Sequence, residues 1–308
     1  MNIAPNSIPL VMLVLVTILG GCVTHHRNIE ATPAPIESFQ IAQVVEDIVY
    51  TRGDWAEPLQ ADLYLPGKTG PHAVVLMIHG GGWAARHRDD MNSISRKLAR
   101  HGYAVLNVSY RFAPAHTFPA QFLDLQQALT WLAENADRYS LDTTRINAWG
   151  YSSGAHLAAL LASYTLDSEQ LIGDSRELPR IRAVVAGGTP ADLRKYSKSP
   201  LVMSFLGGAR DELPALYAEA SPAFHISADD PPVFLYHGKQ DDLVARDQAV
   251  DYYQALLANG IDAELYLHAW RGHATMFLFG GDAEDKAITF LNRKNAFTVT
   301  GGKVESTV

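Results

Sequence analysis

Gly150-Tyr151-Ser152-Ser153-Gly154 holds the chain's best candidate for a reactive side chain. A serine hydroxyl is a weak nucleophile at neutral pH. Using it requires a sharp turn that pushes the side chain into the open and sets it beside a base. Glycines on both sides of the serine allow the flanking backbones to pass closely enough for such a turn. G-x-S-x-G by itself recurs by chance in chains rich in Gly and Ser, so a second motif matters. His79-Gly80-Gly81-Gly82-Trp83 supplies it, following the apolar run 73–78 at the place where a glycine loop that stabilises an oxyanion belongs. With Ser152 first in chain order, an acid and then a histidine should follow, each on a loop after a later strand. The run 233–237 leads into Asp241-Asp242, and the run 264–268 leads into Arg271-Gly272-His273. His273 is the candidate base, and either aspartate could orient it.

These residues need a scaffold that presents several loops along one edge. Short apolar runs at 73–78, 104–108, 145–149, 181–186, 233–237 and 263–268 predict buried strands. Helical patterns at 91–101, 119–139, 152–164, 246–259 and 283–293 alternate with them, several closed by Gly or a basic residue. That alternation predicts an α/β fold, a mostly parallel sheet with helices on both faces. Two β-rich runs, 44–50 and 59–65, flank a turn at Gly53-Asp54 and predict an antiparallel edge. The stretch 166–230, interrupted by one strand, is rich in Pro, Gly and polar residues and predicts loops and short helices over the active face.

The chain has 308 residues with no linker-like break in the middle and no internal repeat, which suits one large domain over 44–296. A formal net charge of −8 excludes a phosphate-tracking surface, so nucleic acid is not expected as a partner. The single cysteine, Cys22, follows Leu19-Gly20-Gly21 at the end of an apolar stretch, 8–18, too short to span a bilayer. This resembles a bacterial lipoprotein signal over 1–21, in which small residues precede a cysteine that receives lipid. It implies an envelope protein anchored to a membrane through Cys22, although residues 1–7 carry no Lys or Arg. The polar, Pro-containing segment 22–43 reads as a tether and 297–308 as a loose tail.

Further motifs carry a resemblance. Tyr110-Arg111-Phe112-Ala113-Pro114, Phe118-Pro119 with Asp124, Ala220-Ser221-Pro222, Pro231-Pro232 and His237-Gly238 with Asp241 and Val244 accompany the glycine loop and the serine turn. Over residues 44–293 the chain resembles the α/β-hydrolase superfamily, in its esterase/lipase group with an H-G-G-G-W motif. The resemblance implies a Ser152-Asp241-His273 triad, with Asp241 chosen over Asp242 as the first carboxylate of H-G-x-x-D-x-x-V. It also implies an oxyanion hole of backbone N–H groups from Gly81, Gly82 and Ser153, and hydrolysis of carboxylic esters through an acyl-enzyme. The substrates it implies are small or carbohydrate-linked esters of short or aryl acyl groups. An amide hydrolase of the arylformamidase kind and a catalytically silent binding protein on the same fold are the alternatives. Two features depart from hormone-sensitive-lipase relatives. Tyr151 replaces the usual acid before the serine, and residues 23–43 leave little room for an N-terminal cap.

Other residues receive quieter expectations. His79 should shape the glycine loop rather than act on substrate, Trp83 should serve packing or the pocket wall, and Asp124 should tie down the loop near Arg111. No H-E-x-x-H or Cys/His cluster occurs, so neither a metal nor a cofactor is expected. The sequence leaves oligomeric state open.

Overall fold

The computed structural model describes residues 24–27, 38–163 and 178–296. The expected signal, Cys22 and the C-terminal tail lie outside the described residues. Among the described residues nine strands form a single sheet: β1 (Thr24–Arg27), β2 (Ile41–Val49), β3 (Gln60–Pro66), β4 (His72–Ile78), β5 (Ala104–Val108), β6 (Leu141–Tyr151), β7 (Ile181–Gly187), β8 (Val233–Gly238) and β9 (Ala263–His268). Their order across the sheet is β1-β9-β8-β7-β6-β4-β5-β3-β2. The six strands from β5 to β9 in that order are mutually parallel; on one side β3 is antiparallel to β5 and β2 antiparallel to β3, and on the other β1 is antiparallel to β9.

The parallel strands read as apolar runs because both of their faces are covered. In β4, Val74, Leu76 and Ile78 join one core while Ala73, Val75 and Met77 join the other. The first core takes α2 (Ala120–Glu134), α4 (Ser153–Ser163), α5 (Pro200–Leu206) and α7 (Asp247–Ala258). The second takes α1 (Asn92–Arg100), α8 (His273–Phe279) and α9 (Gly281–Asn295). The short helices α3 (Ala136–Tyr139) and α6 (Pro214–Glu219) pack on the first core as well, α6 through Tyr217.

Strand order decides where a site can form. β4 and β6 are neighbours, with Ile78 opposite Gly150, yet the chain leaves β4 toward α1 on one face and leaves β6 toward α4 on the other. Loops that diverge from adjacent strand ends open a crevice at the carboxyl edge, the usual ligand position in such sheets. Both sequence motifs sit at that point.

Several expectations need adjustment. The segment 22–43, read as a tether, contains sheet: Thr24–Arg27 pairs antiparallel with β9, and the Phe39 N–H donates to the Arg100 carbonyl at 2.5 Å ahead of β2. Four residues carry no hydrophobic period, and an edge strand is fixed by backbone pairing that composition does not reveal. The helix expected over 119–139 breaks at Asn135, whose side chain donates to the Trp131 carbonyl at 2.9 Å and so competes with the helix ladder. β6 begins at Leu141, ahead of the apolar run at 145, because Leu141 and Asp142 pair with His72 and Ala73 before a bulge. β2 is irregular, with register shifts between Ile41 and Gln43 and between Val45 and Ile48. Asp47 sits in the second shift with φ 56°, its N–H donating to Asp62 Oδ1 at 3.0 Å and its carboxylate paired with Arg88.

Candidate active site

Ser152 stands between β6 and α4 with φ 55°, a left-handed backbone that costs a non-glycine residue energy and marks positions held by their surroundings. Its N–H donates to the Gly187 carbonyl at 2.7 Å, and its carbonyl accepts from the His156 N–H at 3.0 Å. The turn works only with glycine on both sides. A Cβ at Gly150 would lie 2.2 Å from the Gly154 carbonyl oxygen, and one at Gly154 would lie 2.2 Å from the Ile78 carbonyl oxygen. Strand, turn and helix are therefore pressed against the end of β4.

From that end comes the glycine loop. Gly81 has φ 122° and a Cβ there would meet the Ala85 carbonyl oxygen at 2.0 Å, so only glycine fits. His79 is fully buried: its Nδ1–H donates to the Gly80 carbonyl at 2.7 Å, its ring stacks on Tyr110 at 4.4 Å, and the Tyr110 hydroxyl donates to its carbonyl at 3.0 Å. It shapes the loop, as its type and place suggested. Trp83 is also buried, stacked on Phe205 at 4.5 Å and donating Nε1–H to His156 Nδ1 at 3.3 Å. His156 in turn donates Nε2–H to the Ala220 carbonyl at 2.7 Å, which ties the Ala220-Ser221-Pro222 motif beneath the serine helix. Asp124 has the structural place expected, accepting from the Arg111 N–H at 2.9 Å, from the Arg111 guanidinium at 2.7 Å and from Trp55 Nε1 at 2.8 Å.

Asp241 follows β8 and His273 opens α8, and folding joins them: His273 Nδ1 donates to Asp241 Oδ2 at 2.7 Å. The other carboxylate oxygen accepts from the Val244 N–H at 2.8 Å and the Leu243 N–H at 3.1 Å. Burial alone would raise the Asp241 pKa, but the hydrogen bonds from His237 and His273 outweigh it and hold the carboxyl well below the usual range. Asp242, by contrast, is exposed. The structure thus separates two neighbouring aspartates that composition could not.

Ser152 and His273 line one cavity of about 380 Å³, together with Gly80, Gly81, Gly82, Tyr151 and Phe277. A smaller cavity of about 50 Å³ opens on the other side of Ser152 and reaches Gly82, Ser153 and Tyr196. Ser153 is the first residue of α4, so its N–H belongs to the set that a helix leaves unbonded at its positive end. Of the sequence-predicted site residues, Ser152, Asp241, His273, Gly81, Gly82 and Ser153 all gather at the crevice. Cys22 lies outside the described residues. Among the described residues no group of His, Cys, Asp and Glu side chains could hold a metal.

Two residues at the site carried no role in the sequence reading. His237 is fully buried, and its Nε2 lies 2.8 Å from the Val244 carbonyl and 3.2 Å from Asp241 Oδ2, so its N–H steadies the acid and the loop beyond it. Tyr151 stands directly before the serine, and its hydroxyl donates to the His273 carbonyl at 2.7 Å while its ring lies 5.2 Å from the imidazole. The residue beside the serine therefore holds the loop of the histidine. Tyr151→Phe keeps the ring and loses that bond. It should cost about 1 kcal/mol, a melting shift of about 2–4 °C in a domain this large, with turnover reduced more than KM; calorimetry and steady-state kinetics read both.

Burial pushes the imidazoles of His79 and His156 down to about 4, so both stay neutral in the fold. Their pKa values are depressed relative to the unfolded chain, which therefore binds more protons at mildly acidic pH. Stability contributed by keeping them neutral is present above the unfolded value near 6.5 and is lost as pH falls toward 4. For two such groups the slope reaches about 2.7 kcal/mol per pH unit. Denaturation across pH 7 to 4 should show falling stability with uptake of two extra protons, and His156→Gln should flatten the slope by about half.

The chain is similar to several known proteins. A family profile, BD-FAE, matches residues 61–256. The probable carboxylic ester hydrolase LipM of Mycobacterium tuberculosis is 28% identical over 230 residues, covering 71% of this chain and 53% of its own. Esterase LipQ of the same organism is 27% identical over 260 residues, covering 80% of this chain and 60% of its own. The chain thus spans little more than half the length of these curated relatives. Among solved structures, a bifunctional GH43-CE protein of Bacteroides eggerthii is 28% identical with a TM-score of 0.71, covering 82% of this chain and 38% of that one. The thermophilic esterase Est2 of Thermogutta terrifontis, 21% identical, superposes with a TM-score of 0.70 over 83% of this chain and 95% of its own. The sheet order, the crevice between β4 and β6 and these likenesses are those of the α/β-hydrolase fold, and the chain belongs to the BD-FAE family.

Proposed function

We propose that the protein hydrolyses carboxylic esters through an acyl-enzyme on Ser152. The observation that carries this reading is the 2.7 Å bond from His273 to Asp241, with His273 and Ser152 on the wall of one cavity. In this reading His273 takes the proton of Ser152 as its oxygen attacks the ester carbonyl, and Asp241 holds the imidazole in the tautomer that can accept it. The oxyanion is held by the N–H groups of Gly81, Gly82 and Ser153, set in place before the charge develops. His273 then returns the proton to the departing alcohol, and water repeats the sequence to release the acid.

Proton return also assigns the two cavities. The leaving alcohol must lie beside His273, which lines the large cavity, whereas the small one reaches Ser153 and Gly82 without touching His273. The acyl group therefore enters the space of about 50 Å³ and the alcohol the space of about 380 Å³. Short acyl groups on bulky alcohols, sugars included, fit that division. Nitrophenyl esters of increasing acyl length should show kcat/KM greatest for acetate to butyrate and falling steeply beyond. A flat profile would overturn the assignment of the cavities, and turnover of formanilides in preference to every ester would make the protein an amidase. No cofactor enters this chemistry. We further infer from the Leu19-Gly20-Gly21-Cys22 sequence that lipid at Cys22 anchors the chain to a membrane of a bacterial envelope. Growth with labelled palmitate tests it, since Cys22→Ser should lose the label.

A further inference from the structure

Large apolar side chains cluster around the mouth of the large cavity. Leu201, Leu243 and Leu278 line it while remaining 40%, 54% and 65% exposed. Phe279, next to Leu278 at the end of α8, is 62% exposed, and Trp270, two residues beyond β9, is 70% exposed. A soluble protein seldom leaves such residues together unless the surface meets something apolar.

The path of the chain identifies what that is. β1 runs antiparallel to β9, with Thr24 opposite Leu267 and Arg27 opposite Glu264. Since β9 ends at the carboxyl edge, the chain enters β1 from that same edge, beside the loop that carries Trp270. Cys22 precedes Thr24 by two residues, and two residues reach at most about 7 Å. The other ends of the described chain point away: β1 finishes at Glu264 and α9 runs down to Asp262 and Glu264, toward the amino edge. We propose that the carboxyl edge of the sheet, with the mouth of the large cavity, docks on a lipid bilayer through Trp270, Leu278, Phe279 and Leu243. The inference rests on the anchor at Cys22 for its proximity argument.

Charge does not drive this docking. Arg86, the one arginine or lysine among the described residues that line the cavity, lies 4.0 Å from the Asp90 carboxylate, so apolar insertion with Trp270 at the headgroup level supplies the attraction. Binding should persist in neutral phosphatidylcholine and at high salt. Substrate would then reach Ser152 from the membrane surface, which favours amphiphilic esters.

The test uses the full chain purified from the envelope and reconstituted in phosphatidylcholine vesicles. Brominated acyl chains should quench Trp270 fluorescence, and Trp270→Phe should lose that quenching. With Cys22 blocked by lipid, a label at Phe279→Cys should be shielded from a water-soluble quencher several-fold better than one at Ala258→Cys, which lies at the exposed end of α7 by the opposite edge. Palmitate label with equal accessibility at 279 and 258 would overturn the orientation and leave the anchor standing. Shielding at 279 without palmitate label would support the docking surface and overturn the anchor. Neither signal would overturn both.

Discussion

Ser152→Ala will reduce ester turnover by about four to six orders of magnitude while substrate still binds. The substitution removes one oxygen and leaves the turn in place, because the strained φ of 55° is imposed by the Ser152 N–H to Gly187 bond and by the glycines at 150 and 154. KM should change little, since the cavity walls remain. Residual catalysis over water would come from Gly81, Gly82 and Ser153 holding the oxyanion. In the proposed mechanism Ser152, Asp241 and His273 act as a unit, so adding His273→Ala to Ser152→Ala should cost almost nothing further. Turnover within about tenfold of the wild-type rate in the purified single variant would end the acyl-enzyme reading.

Asp241→Asn should lower kcat by about 10⁴ at unchanged volume. An amide NH₂ placed at Oδ2 would confront the Nδ1–H of His273 and the Nε2–H of His237, two donors facing a third. The imidazole escapes by moving its proton to Nε2, where it can no longer take one from Ser152. The backbone bonds from Leu243 and Val244 can be kept by the amide oxygen, so the loop should survive and circular dichroism should be unchanged. Asp242→Asn is the control: that carboxylate is exposed and its loss should leave kcat within twofold. The opposite pattern, with Asp242 essential, would move the acid by one residue.

The parallel core was legible because its strands are covered on both faces and so consist of unbroken apolar runs, as in β4 and β8. The serine turn and the glycine loop were legible for a different reason: each needs residue types that the chain rarely spends elsewhere. What escaped depends on contacts rather than types. β1 is specified by backbone pairing with β9, and four residues have no pattern of their own. α8 was missed because only Met276 is buried among its residues, so no period reached the sequence. Tyr151 and His237 were visible as letters in their motifs, but their work lies in a hydroxyl reaching across 122 positions and a ring nitrogen reaching across four. Periodicity carries no record of such bonds. The choice of Asp241 over Asp242 likewise became physical only when two amides and two histidines converged on one of them.

The irregular margins of the sheet bear on life at high density. A terminal strand offers a ladder of free N–H and C=O groups on which a second molecule can template itself. Here one flank ends in four residues and the other in a ribbon broken twice, with Asp47 and Glu46 set in its second break. Copies crowded side by side on a single surface would find no straight seam to zip along, so confinement would raise their local concentration without inviting fibres.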